Sequence, residues 1–150
     1  MSNSGNTFLD IAQAIRKHIE LNLGNLKEIN NEINSNERHM EWVLPSKEYR
    51  DVFIRFLDEP PLEHSLVVIV QSRFRVPPAQ FRNIAVLINI LNMNCDYGSF
   101  RLNYKTGLVS FVASGFHKGC DTKAMAVRFI KEADCNLNKI VDICVLSSQS

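Results

Sequence analysis

The chain has 150 residues and a mass of 17.1 kDa, of which 45% are apolar and 22% charged. That is one ordinary globular domain, and it excludes collagenous, low-complexity and disordered classes. Seventeen Lys and Arg oppose sixteen Asp and Glu, so net charge (+1) points to no class of partner, and function has to be sought locally.

Residues 1–6 are polar, with no basic patch ahead of an apolar core, and read as an unstructured tail rather than a secretory or transit signal. Thr7 with Asp10 stands where a helix cap would, and Phe8, Ile11, Ala12, Ile15 and Ile19 then recur at helical spacing up to about Gly24. Leu26, Ile29 and Ile33 suit a further short helix, but the asparagines among residues 30–36 oppose it, and residues 25–38 stay unassigned. Met40, Trp42 and Leu44 alternate with Glu41 and Val43 as a strand does. A second strand, 50–57, has Val52, Ile54 and Phe56 on one side and Phe53 and Leu57 on the other, before a turn at Asp58-Glu59-Pro60-Pro61. Residues 65–76 form a third, whose unbroken Leu66-Val67-Val68-Ile69-Val70 indicates a strand central in its sheet or covered on both faces.

Pro77 and Pro78 suit a first helical turn, and Phe81, Ile84, Ala85, Ile88 and Leu91 mark the helix that follows, ending near Asn94. A hairpin is expected next, from Phe100-Arg101-Leu102 through Thr106-Gly107 to Val109, Phe111 and Ala113. A last helix, capped by Asp121 or Thr122, follows Val127, Ile130, Ala133, Leu137, Ile140, Val141 and Cys144. The order α-β-β-β-α-β-β-α, with turns at most strand connections, predicts a single α+β domain over 1–150. An antiparallel sheet of about five strands would pack with three helices around Trp42, Phe56, Val68, Ile84, Ile88, Phe100, Phe111 and Ile130.

Four stretches of the middle segment have a familiar look: Arg75-Val76-Pro77-Pro78, Leu87-Ile88-Asn89-Ile90-Leu91-Asn92, Gly98-Ser99-Phe100-Arg101-Leu102 and Gly107-Leu108-Val109-Ser110-Phe111. Over residues 66–115, about a third of the chain, they resemble the YbjN-like domain family, whose fold is similar to that of type III secretion chaperones. The resemblance implies a small α+β interaction domain, often self-associating, with no catalytic residues to carry over. Asn103-Tyr104-Lys105-Thr106-Gly107 departs from the acidic hairpin turn usual in that family.

The six glycines form neither a dinucleotide fingerprint nor a phosphate loop, and the histidines and cysteines lack zinc spacing, so no cofactor and no metal are expected. Cys120 near His117, and the Asp58, Glu59 and Glu63 turn with His64, are the candidate sites for an enzyme reading. Neither supplies a full set of base, nucleophile and anion hole. Cys135, between Lys131 and Lys139, should face solvent, while Cys144 belongs to the core stripe. The absence of Cys-x-x-Cys pairs and of a long apolar run suggests a reduced, cytoplasmic protein that does not enter a membrane.

Charge is unevenly distributed: residues 1–70 have 7 basic and 11 acidic side chains, and residues 71–118 have 6 basic and one acidic. Arg73, Arg75, Arg82, Arg101 and Lys105, with Tyr97 and Tyr104, therefore form the candidate binding set. The leading expectation is a non-enzymatic, homodimeric interaction module with a protein partner. The alternative is an anion or single-stranded nucleic-acid binder using the same basic segment.

Overall fold

A computed structural model of the chain describes residues 4–32, 38–59, 62–95, 98–115 and 122–148. It has the expected α+β architecture, with three helices and one antiparallel sheet. Helix α1 spans Ser4–Leu23, starting three residues before the Thr7 cap and taking in part of the tail expected to be unstructured. Gly24, at φ 116°, ends it in a left-handed conformation that disfavours any side chain.

The strands are β1 (Lys27–Glu32), β2 (Arg38–Val43), β3 (Arg50–Glu59) and β4 (Leu62–Ser72), followed by a 3-10 turn at Pro78–Gln80 and helix α2 (Phe81–Met93). The hairpin β5 (Gly98–Leu102) and β6 (Val109–Gly115) and helix α3 (Thr122–Ser148) complete the chain. The sheet has six strands, in the order β1-β2-β3-β4-β6-β5. The additional strand, β1, lies in the stretch left unassigned: its Asn-rich sequence is poor in β propensity, and pairing with β2 outweighs that local preference. A bulge between Glu28 and Asn30 accommodates it. Strand β3 runs on to Glu59, two residues past its expected end, and β4 starts at Leu62, three residues before its expected start. Strand β4 ends at Ser72, four residues before the expected Val76. There the Ser72 hydroxyl donates to the Phe74 carbonyl (2.9 Å) and accepts from the Val109 amide (2.9 Å), taking over from the ladder.

The core lies on one face of the sheet. Phe100, Phe111, Val70 and Val52 form one buried cross-strand row, and Ala113, Val68, Ile54 and Trp42 the next. Helices α1 and α3 pack over these rows and against each other, with Phe8 of α1 stacked on Phe56 of β3 at 5.0 Å. Helix α2 covers the β5 end with Ile84 and Ile88. All eight residues expected in the core are buried.

A charged link crosses this core. Arg50, 3% exposed at the start of β3, donates from Nε and Nη2 to the Asp134 carboxylate of α3 (2.6 and 2.9 Å) and from Nη1 to the Pro45 carbonyl. This two-point fork fixes α3 to the sheet.

Candidate interaction surface

The period-2 geometry of strands sends alternate side chains to the face opposite the helices. There the register aligns Arg101, Ser110, Gln71 and Asp51 in one polar row across β5, β6, β4 and β3. The next row is apolar: Val112, Ile69, Phe53 and Val43 stand side by side across β6, β4, β3 and β2, flanked by Ser99 and Lys27. Beyond it lie Ser114, Val67, Arg55 and Glu41. Among the described residues no side chain of these three rows is buried, and Phe53 is 37% exposed. A cross-strand apolar row is thus left open between two mainly polar ones.

Its rims are organised by ion pairs. Arg55 Nε meets Glu41 at 3.0 Å, and Arg73 Nε lies 3.9 Å from Asp51, whose carboxylate also accepts from the Ser46 hydroxyl. Arg101 is exposed and has no ion pair among the described residues. Beside the β6 end of the row is a shallow concavity of about 400 Å³, with Ile69, Leu108 and Val112 among its lining residues and Gln71, Asn103 and Ser110 providing polar groups.

The expected binding residues divide between places. Arg73 and Arg101 flank the sheet face. Arg75 packs beside Gly107, whose φ of 75° and approach to the Val76 carbonyl leave no room for a Cβ. Tyr104 and Lys105 sit on the hairpin turn, whose shape is held by the Asn103 side chain accepting from the Lys105 and Thr106 amides. The Tyr104 ring, 63% exposed, meets Phe81 edge-on at 5.5 Å, and Arg82 belongs to the first turn of α2 rather than to the sheet face. Tyr97 lies outside the described residues, as do Cys120 and His117. Asp58 and Glu59 end β3 and Glu63 is the second residue of β4.

Two surface features had sequence signals that pointed elsewhere. Phe53 and Ile69 belong to strands apolar on both sides, a pattern equally suited to a strand covered on both faces. On α2, Val86, Ile90 and Met93 are 57, 51 and 79% exposed, forming a second apolar stripe opposite the Ile84 and Ile88 side.

Cys135 is exposed, as its lysine neighbours suggest, whereas Cys144 is half-buried at the margin of the core rather than within it, and desolvation pushes its thiol pKa up. Among the described residues no cluster of His, Cys, Asp or Glu could hold a metal, and no helix is long and apolar enough to cross a membrane. No protein-family model, no curated protein and no solved structure matches this chain.

Proposed function

We propose that the protein is a non-enzymatic protein-interaction module of the kind the YbjN-like resemblance implies, binding a protein partner across the open sheet face. The observation that carries this reading is the apolar row Val43, Phe53, Ile69 and Val112, uncovered and edged by polar rows. An apolar centre within a polar rim is the anatomy of a protein interface. It suits a nucleic-acid backbone poorly, because phosphates select converging cations. Here Arg73 already faces Asp51, and Arg82 stands apart on α2. The test is co-purification from the native source, quantified by mass spectrometry, with wild type and Ile69→Glu compared. A polypeptide lost with the substitution supports the module. An unchanged set of polypeptides, or salt-sensitive binding of oligonucleotides by both forms, overturns it.

A second observation favours self-association. Val86, Ile90 and Met93 repeat at four and three residues along the outer side of α2, the spacing at which two helices pair. In an antiparallel pair Arg82 of each copy would approach the negative carbonyl end of the other α2, a favourable placement. Sedimentation equilibrium should give a mass above 17.1 kDa that falls to the monomer value with Ile90→Glu. A wild-type monomer at all concentrations removes the pairing.

A further inference from the structure

We infer that the occupant of the open face is an amphipathic helix of a partner protein, laid across β2, β3, β4 and β6 with acidic residues directed at Arg101 and Lys27. This rests on the reading of the face as an interaction surface and adds the partner's chemistry.

Three observations select a helix with acidic flanks. The first is backbone satisfaction. The sheet face offers side chains only, because the strand amides and carbonyls lie in the ladder direction, so an extended segment placed there would desolvate its own unpaired backbone. Strand addition is also blocked at the β5 edge. The Asn92 side chain of α2 accepts from the Phe100 amide (2.6 Å) and donates to the Phe100 carbonyl (3.0 Å), occupying the groups a new strand would pair with. A helix satisfies its backbone internally and needs only an apolar stripe to rest on.

The second is spacing. Neighbouring strands lie about 4.8 Å apart, so the four residues of the row extend over roughly 14 Å. Successive helical turns rise about 5.4 Å and drift by only about 2 Å over that length, whereas same-side residues of an extended chain, nearly 7 Å apart, drift by about 6 Å. The hollow beside Ile69, Leu108 and Val112 can receive a bulky anchor at one end.

The third is charge. Glu41 and Asp51 are engaged by Arg55 and Arg73, while Arg101 and Lys27, at opposite ends of the face, have no ion pair among the described residues. The surplus is positive, so acidic side chains beside the apolar stripe complement it and basic ones oppose it.

The test uses the full chain and fluorescein-labelled, stapled helices of about 15 residues, or four turns, with apolar residues at i, i+4, i+7 and i+11. One probe has Glu flanks, one has Lys flanks, and an unstapled control has central prolines. Anisotropy should show the Glu-flanked helix binding at least about tenfold more tightly than the Lys-flanked one, with the margin narrowing as salt rises. Arg101→Glu should erase that preference. Ile69→Thr, which keeps a β-branched residue, should weaken binding about tenfold at an unchanged melting temperature, and Val86→Glu should leave it intact. Equal binding of the two charge forms, equal binding of the proline control, or insensitivity to Ile69→Thr overturns the inference. So does dimerisation that Ile69→Thr abolishes and Val86→Glu spares, because a second copy would then occupy the face. If the helices fail while a native polypeptide is still lost with Ile69→Glu, the helix assignment falls and the module stands. If both fail, both fall.

Discussion

The two faces of the sheet are built from the same residue types one position apart, and they have opposite fates. On β3, Val52, Ile54 and Phe56 are buried beneath the helices, while Phe53 and Leu57 are not. On β4, Val68 and Val70 are enclosed, and Val67 and Ile69 are only half-buried. The difference lies in what covers each face: α1 and α3 pack on the inner side, and no described element lies over the outer one. Hydrophobicity on a strand marks surface that gains from leaving water, and tertiary structure determines whether folding or association realises that gain.

The sharpest way to break the comparison is to truncate neighbours that point in opposite directions. Phe56→Ala should destabilise the fold by about 3 to 5 kcal/mol, because it opens a cavity against Phe8. Phe53→Ala should cost under about 1 kcal/mol. Urea denaturation of both variants checks the ratio, and equal losses would mean that the outer face is covered. The inner face can be probed next through its charge. Arg50→Ala should cost about 3 kcal/mol, since it removes both guanidinium hydrogen bonds from the partly buried Asp134 and leaves it the more distant Lys47, at 3.7 Å. Asp134→Ala should be as damaging, and a double-mutant cycle should show strong coupling between the two.

At the sheet edge, Asn92→Leu removes two hydrogen bonds to β5 and should cost about 1 to 3 kcal/mol. It also frees an edge, so aggregation measured by light scattering should increase. Gly98→Ala should be destabilising as well, because its Cβ would fall 2.5 Å from the Phe111 ring. The smallest effect is chemical. The raised pKa of Cys144 leaves less thiolate at a given pH, so iodoacetamide should modify exposed Cys135 first, with Cys144 catching up as pH rises. Peptide mass mapping over time follows both sites.

The order of elements was legible because it depends on local periodicity. Alternation at Phe100 and Leu102, the Thr106-Gly107 turn and the helical stripe from Val127 to Ile140 each reflect a backbone geometry that neighbouring residues share. β1 was not legible, since its Asn-rich residues have no strand preference until β2 supplies hydrogen-bonding partners. The Arg50–Asp134 fork was hidden for a related reason: its partners are 84 residues apart, and neither has a local signature. The basic segment was visible as a count, but its distribution over a sheet face, a hairpin turn and α2 follows from the path of the chain.

From the sequence alone come the α+β class, the antiparallel connections and the inward side of the strands that alternate, such as Met40 with Trp42 and Phe100 with Phe111, because side-chain period and turn chemistry act within a few residues. The tertiary structure decided what no local rule contains. It decided that β6 inserts beside β4 with β5 outermost, that Asn92 seals that outer edge, and that the helices gather on one side. An uninterrupted apolar strand is compatible with one covered face or two, and only the packing of distant segments distinguishes them. That choice leaves Val43, Phe53, Ile69 and Val112 in an open row, where solvent exposure depends on long-range packing rather than on the residues themselves.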